Sequence, residues 1–346
     1  MGNAASSVKL TDVARFAACS PATVSRVLNG NTRVDAEARE RVLNAVAKLG
    51  YVPNASARAL RSMQTRLVGA VIPTLDHAIY ATMVDSLQAR LSEKHVSLIL
   101  GTSMYDISSE FEQVRLLVER GVEALILVGA RHHPGTTALL ERRRIPYVQT
   151  YTFDPAKPGR TIGFDNEKAG RSAARFLLDL GHRRFAMIAG ITHDNDRAAG
   201  RVAGFLGELA RNGIARAAVP VEEGVYTIGA GAAAMRRLLL LSVRPTAVFC
   251  GSDILAAGAV KYCAEAGVAV PGAVSVIGFD NLEIAELASP ELTTLEVPAR
   301  EMGRLAADYV LLTPMQRRYF QQRELAIKLV VRGSAGMAPS GRAGEL

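Results

Sequence analysis

The chain has no tryptophan, and only 5% of its 346 residues are aromatic, so any ring-lined binding surface must be local. Its three cysteines, Cys19, Cys250 and Cys263, are odd in number and lack metal-ligand spacing. No disulfide framework is expected, and Cys250, within an apolar run, reads as a buried thiol. The six histidines also lack that spacing, and the rings of adjacent His132 and His133 must diverge. No Ser–His–Asp set or carboxylate pair can be argued, so no catalytic residue, metal or cofactor is assigned. Apolar runs are short, none near the roughly eighteen residues of a membrane span. Met1 to Ser7 is polar and lacks the apolar core of an export signal. No membrane association and a cytoplasmic location are expected.

Positive charge is present in excess, at a formal +8, and it is unevenly placed. Residues 1–66 hold ten basic groups against four acidic ones, leaving 31 basic and 29 acidic groups for the other 280 residues. A field concentrated in one fifth of the chain predicts a polyanionic partner for that part.

The same region reads as three short helices. Ser20 suits an N-cap and Pro21 a first helical position, and Asn29-Gly30 supplies a left-handed stop. Between them Val24, Val27 and Leu28 share one face, while Ala22, Thr23, Ser25, Arg26 and Asn29 form a face able to approach a polar surface closely. Thr11 is placed to cap a helix from Asp12 to Ala18, and Asp35 one from Ala36 to Leu49. Two short helices joined at Ala18-Cys19-Ser20 and braced by a third predict a helix-turn-helix, with Pro21 to Asn29 as recognition helix.

Leu10-Thr11-Asp12-Val13-Ala14, Pro21 to Gly30, Arg41-Val42-Leu43 and Leu49-Gly50-Tyr51-Val52-Pro53-Asn54 resemble the headpiece of the lactose/galactose-repressor (LacI/GalR) family, and the resemblance runs on to about Arg332. It implies a regulator, most often a repressor, whose two-fold homodimer binds a pseudo-palindromic operator in double-stranded DNA. On this reading Ala22, Ser25, Arg26 and Asn29 lie near bases or phosphates, Thr11, Thr23 and Arg33 on the backbone, and Ser20 at the helix start. Pro21 and Ala22 occupy the positions that choose bases; small and apolar, they suit thymine methyls. In the linker Pro53 to Arg66, Asn54 can cap about two turns that would order only on DNA. Ala57 leaves Leu60 uncrowded, and the resemblance makes Leu60 a minor-groove wedge.

From Leu67 onward, short continuous apolar runs alternate with helical stretches, the pattern of a parallel sheet covered on both faces. Strands are expected at Leu67–Ile72, Val96–Leu100, Ala124–Val128 and Tyr147–Gln149. The scheme restarts at Phe185–Gly190 and continues through Val219–Glu222, Thr246–Cys250 and Val274–Gly278. The fold class is therefore a small all-α helix-turn-helix headpiece (1–52), a linker (53–66) and an α/β body (67–333) of two doubly wound parallel-sheet lobes, resembling periplasmic binding proteins. Lobe 1 is placed at about 67–166 plus 297–324, lobe 2 at about 167–296 plus 325–333. Residues 334–346, rich in Gly, Ala, Pro and Ser and without leucine heptads, are expected to be a loose tail, which favours a dimer.

A ligand of such a body belongs at the carboxyl ends of the strands, between the lobes. There the resemblance implies that Arg201 grips effector hydroxyls or carboxylates and that Asp280 accepts from them. Asn195 and Arg197 share the lip of Arg201, and Tyr80, Tyr151 and Tyr226 fall where relatives place rings over the ligand. Ser252 replaces the asparagine, and Thr150 the aspartate, of many sugar-binding relatives. With two arginines and fewer carboxylates, the effector is expected to be a sugar or, preferably, a sugar acid. His182 is expected to cap the helix before it.

Two alternatives share the body. Gly229-Ala230-Gly231-Ala232-Ala233-Ala234 fits a loose dinucleotide fingerprint, but Val225 to Ile228 separates it from a strand and no acidic residue ends the next one. An NAD-dependent enzyme is therefore disfavoured, and helix–strand packing is expected to explain the small residues. A solute-binding protein would need an export signal and no basic headpiece.

Overall fold

The computed structural model describes residues 8–28, 33–52, 64–157 and 159–339. The chain divides after Thr65 into a headpiece and a body.

In the headpiece, α1 (Leu10–Phe16), α2 (Pro21–Leu28) and α3 (Ala36–Leu49) enclose Val13, Ala14, Ala17, Val24, Val27, Val42 and Ala45. Each fully buried valine contributes about 1.5–3 kcal/mol, which lets helices this short persist. Ser20 accepts the Thr23 amide at 3.1 Å, and Asp35 accepts the Ala38 amide at 3.1 Å, as the sequence predicts. The first helix starts two residues earlier than expected. Lys9 stands at its N-cap and Asp12 accepts the Lys9 amide at 2.9 Å, so exposed Thr11 is no cap. Ala18 takes a left-handed φ of 50° at the turn, which α3 braces through Arg41 Nε to the Ala17 carbonyl (3.3 Å). The linker 53–63, with Asn54, Ala57 and Leu60, lies outside the described residues, as does Asn29.

The body contains two six-stranded sheets. The first comprises β1 (Leu67–Ile72), β2 (Ser97–Thr102), β3 (Ala124–Val128), β4 (Tyr147–Thr150), β5 (Thr161–Gly163) and β11 (Arg323–Glu324), in spatial order β11-β5-β4-β3-β1-β2. The second comprises β6 (Phe185–Gly190), β7 (Val221–Gly224), β8 (Ala247–Cys250), β9 (Ser275–Asp280), β10 (Thr293–Glu296) and β12 (Lys328–Val330), in order β12-β10-β9-β8-β6-β7. All pairs are parallel except β10 with β12. Helices α4 (Ala78–Ser92), α5 (Ile107–Glu119), α6 (Pro134–Arg143) and α12 (Ala299–Leu311) accompany the first sheet. Helices α7 (Asn166–Asp179), α8 (Asp196–Arg211), α9 (Ile228–Leu239) and α10 (Asp253–Glu265) accompany the second, and α11 (Ile284–Leu287) and α13 (Pro314–Arg317) are single turns. The chain passes between lobes three times, after β5, after β10 and between β11 and β12. Among the described residues no helix is long and apolar enough to cross a membrane.

Three expectations need correction. Residues 334–338 are docked, not loose: Ser334 is fully buried, and its hydroxyl bonds the Val276 carbonyl (2.5 Å) while accepting the Thr293 amide (2.9 Å). The Ala338 amide then reaches the Leu180 carbonyl at 2.8 Å. His182 does not cap α7. Its Nε2 lies 3.1 Å from the Gly336 carbonyl and its Nδ1 3.0 Å from the Thr246 hydroxyl, so the neutral ring donates to the first and accepts from the second. Polar partners inside lobe 2, invisible in the local sequence, thus hold the tail. Finally, Gly231 sits inside α9, where a Cβ would come within 2.2 Å of the Leu255 carbonyl of α10. Helix–helix packing, not helix–strand packing, requires the small residues.

Burial lowers the pKa of His182 below its usual value, opposed by the bond to Gly336. The unfolded chain therefore takes up a proton near pH 6.5 that the folded chain refuses, and this contribution to stability is lost as pH falls below that value. Urea unfolding at pH 7.5 and 5.5 should show a smaller loss of midpoint in His182→Gln than in the wild type; equal losses would exclude this role.

Candidate functional site

The carboxyl ends of both sheets face one cleft, and the backbone there is unusually constrained. Met104, Tyr105, Tyr151, Asp194, Asp280 and Asn281 all have left-handed φ, between 51° and 109°. Such conformations cost free energy in non-glycine residues and persist where surroundings over-determine them. At Tyr105, Tyr151 and Asp280 they turn side chains beyond the strand ends into the cleft.

The cavity so formed is lined by seven of the eight residues expected from the sequence, Tyr80, Tyr151, Arg197, Arg201, Tyr226, Ser252 and Asp280. Asn195 is set apart: it caps α8 by accepting the Ala198 amide and faces a wider outer space shared with Tyr226. The Ser252 hydroxyl caps α10 through the Leu255 amide (3.3 Å), so it is partly committed to structure. Thr150 is buried and bonded to the Leu127 carbonyl, and it does not line the cavity. The local pattern did not reveal His77, Tyr105, Phe164 or Phe279 as lining residues. His77 and Tyr105 follow strands β1 and β2 on loops, and the left-handed pair at 104–105 has no glycine or asparagine to announce it.

Rings dominate the walls. Tyr80 meets Tyr151 edge-on at 5.2 Å, His77 meets Tyr226 edge-on at 5.1 Å, and His77 Nδ1 lies 2.9 Å from the Tyr105 hydroxyl. The Tyr151 hydroxyl donates to the Ile79 carbonyl at 2.8 Å. Burial raises the pKa of Tyr80, Tyr105 and Tyr151, so all three are hydrogen-bonding phenols at neutral pH. Burial lowers that of His77, against the pull of Asp76, which favours the neutral ring.

Two buried arginines supply the charge. Arg201 donates to Asn166 Oδ1 at 2.7 Å and lies 4.4 Å over the Phe279 ring. Asn166 in turn donates to the Tyr151 carbonyl at 3.0 Å, linking the first residue of α7 to the end of β4. Arg201 Nε is buried and has no hydrogen-bond partner among the described residues. Burial raises the pKa of Asp280, as does nearby Asp253, against the attraction of Arg201. Asp253 is itself pushed up to about 6 by burial, although it accepts from the Thr294 hydroxyl and the Leu282 amide.

Arg197 bridges the lobes. Its Nη1 donates to the Val128 carbonyl of lobe 1 (3.2 Å) and to neighbouring Asp196 (3.0 Å). Asp196 accepts the Ala130 amide at 2.9 Å, and Arg131 pairs with Asp194 at 2.9 Å. Burial opposes the charge of Arg197, but Tyr80, Asp196, Tyr105 and Tyr226 outweigh it and the pKa is raised. Gly129, at φ 88°, makes this approach possible, because a Cβ there would lie 2.0 Å from Arg197 Nη1. Elsewhere, His132 pairs with Glu110 at 2.8 Å.

On the headpiece, Thr11, Ser20, Pro21, Ala22, Arg26 and Arg33 are exposed, and Thr23 and Ser25 are half-buried. The Ser20 and Thr23 hydroxyls lie 2.8 Å apart at the start of α2. The face opposite Val24 and Val27 is thus small, polar and basic.

Residues 9–54 match the family model described as bacterial regulatory proteins, lacI family, and residues 174–335 that of a periplasmic binding protein-like domain. The chain is 30% identical to the HTH-type transcriptional repressor CytR of Escherichia coli K12 over 333 residues, covering 95% of this chain and 97% of that protein. Among solved structures, the Lac repressor dimer bound to operator and the anti-inducer ONPF superposes with a TM-score of 0.85 at 27% identity, covering 95% of this chain and 99% of that one. The complex of the transcriptional regulator CelR with cellobiose superposes with a TM-score of 0.67 at 30% identity, covering 95% and 100%.

Removing Asn166 would leave a buried carbonyl and a buried guanidinium nitrogen without partners. Asn166→Ala should lower stability in urea by about 2–3 kcal/mol, whereas Tyr151→Phe, which loses one neutral bond, should cost about 1 kcal/mol. Equal losses would show that Arg201 does not depend on Asn166.

Proposed function

Because this chain belongs to the lacI family of bacterial regulatory proteins, we propose specific roles for its two sites. It is a sequence-specific DNA-binding transcription regulator of the repressor type, with an effector-binding body that controls operator affinity. Each headpiece of a cytoplasmic homodimer lays α2 in a major groove. Arg26 and Ser25 reach bases or phosphates, Pro21 and Ala22 pack on thymine methyls, and Ser20, Thr11, Thr23 and Arg33 hold the backbone. Asn29 completes that face, and Asn54, Ala57 and Leu60 act at the operator centre. The chain has no enzymatic activity on this reading.

The effector occupies the cavity between the lobes. The observation that carries this reading is the buried Arg201 Nε with no partner among the described residues. An unpaired buried donor is costly, and an acceptor on a ligand relieves the cost. A hydroxylated molecule with an acid group fits two arginines beside phenol hydroxyls, so the class is a sugar or sugar acid. The solved complexes, a CelR–cellobiose complex among them, support the same kind of ligand. Because Arg197 holds the Val128 carbonyl across the cleft, ligand binding there biases how the lobes meet. Coupling of about 1–3 kcal/mol would suffice for regulation.

Binding to inverted-repeat DNA from upstream of the gene should be salt-sensitive by fluorescence anisotropy. Arg26→Ala should weaken it by about tenfold or more, a loss of about 1–3 kcal/mol, and unchanged affinity would remove α2 from the interface. Arg201→Ala should keep operator affinity within about twofold while abolishing the response to sugars and sugar acids; a preserved response would move the effector elsewhere.

A further inference from the structure

Asp280 reaches the cavity from an unfavourable stretch of backbone. It ends β9 at φ 109°, and Asn281 follows at φ 57°, two consecutive non-glycine residues with positive φ. Such a pair costs free energy and keeps one shape only where its surroundings fix it. The fixing groups come from two other elements. Asp253, the fully buried first residue of α10, accepts the Leu282 amide at 2.7 Å through Oδ2 and the Thr294 hydroxyl at 2.6 Å through Oδ1. Thr294, fully buried in β10, accepts the Asn281 amide in turn at 3.4 Å. Neither side chain lines the cavity.

The strand beside them is shaped for this contact. Thr294 pairs with Gly278 in the ladder, and a Cβ at 278 would lie 2.1 Å from Asp253 Oδ1. Space that a side chain would fill, two residues before Asp280, is thus given to the carboxylate. A further donor, Arg332, reaches Asn281 Oδ1 and the Leu292 carbonyl, both at 2.9 Å. Packing α10 on the sheet does not need a buried carboxylate, which is costly to desolvate. What the carboxylate supplies, and an apolar side chain cannot, is two acceptors that hold the amide and the hydroxyl on either side of the turn. Resting on the reading of the cavity as the effector site, we propose that Asp253 and Thr294 are positioning residues that aim the Asp280 carboxyl at one hydroxyl of the ligand. A polar contact discriminates between ligands only when it is held to within about 0.5 Å. Selectivity between sugars that differ at a single carbon is therefore set in part by two side chains that do not touch the ligand.

The test uses the full chain at pH 7.5, where Asp253, with its pKa raised to about 6, is ionised. Calorimetry compares the epimers D-glucuronate, D-galacturonate and D-mannuronate, and their neutral parents D-glucose, D-galactose and D-mannose. The wild type should bind one member of a set about tenfold more tightly than an epimer, the worth of one well-aimed hydrogen bond. Thr294→Val, which keeps the shape and removes the hydroxyl, should shrink that ratio to about threefold or less, and Thr294→Ser should restore most of it. Asp253→Asn, which keeps the shape and removes one acceptor, should act as Thr294→Val does and replaces it if the valine variant does not fold. A merely structural role would weaken all epimers alike and leave the ratio unchanged. That result, a wild type without epimer preference, or a serine variant that behaves as the valine one would overturn the proposal. The underlying reading fails separately, if no sugar or uronate binds or if the ligand binds equally well to Arg201→Ala. An epimer ratio that survives Thr294→Val and Asp253→Asn while Arg201 stays essential would sink the positioning role alone.

Discussion

Two guanidinium groups taken out of water between two lobes set the terms for the rest of the body. Neither Arg197 nor Arg201 is given a full carboxylate partner in the cleft interior. Arg197 shares Asp196 with the Ala130 amide, and Arg201 has an amide oxygen and the face of Phe279. Desolvating a cation costs several kcal/mol unless hydrogen bonds and nearby charge compensate. The compensation arrives from the carboxyl ends of both sheets, through the Val128 carbonyl, Asn166, the phenol rings and Asp280. The left-handed residues at those ends hold these groups in place, so the local strain and the buried charge are parts of one arrangement.

That arrangement also makes the cleft a place where lobe position and ligand chemistry are inseparable. Arg197 belongs to α8 of lobe 2, yet it bonds a carbonyl of β3 in lobe 1 and faces the cavity. Gly129 provides the contact distance. A molecule that draws the guanidinium inward must loosen or strengthen a bond between lobes. Differential contact of this kind is what a ligand needs in order to shift an equilibrium between two conformations.

Much of this was legible in the residues. The caps at Ser20 and Asp35, the apolar runs of the central strands and the positions of Arg201, Asp280 and the three tyrosines all follow from local pattern or from the family resemblance. What escaped were features fixed by tertiary contact. Strands β5 and β10 have three and four residues, and the second, Thr-Thr-Leu-Glu, holds a single large apolar residue. Thr11 is a good cap by type, yet Asp12 reaches back to the Lys9 amide and starts the helix earlier. Tyr105 enters the cleft through a backbone conformation that methionine and tyrosine rarely adopt, so nothing in the sequence marks it. The small polar residues after Arg332 read as a free end because their partners, His182, Ser275 and Val276, lie some sixty or more positions away.

The three passages of the chain between lobes bear on its synthesis. The first sheet lacks its outermost strand, β11, until residues 323–324 have been made, long after the second sheet has most of its members. During translation, then, the lobe that begins first is completed almost last, and the edge of β5 stands unpaired while more than 150 further residues leave the ribosome. Such an edge invites pairing with other nascent chains. Two features make it a poor template: β5 is only three residues long, and Pro158 and the charged Lys157 and Arg160 lie immediately before it. A segment that looks like an unremarkable connection in the finished molecule is, for the growing polypeptide, a guard against aggregation.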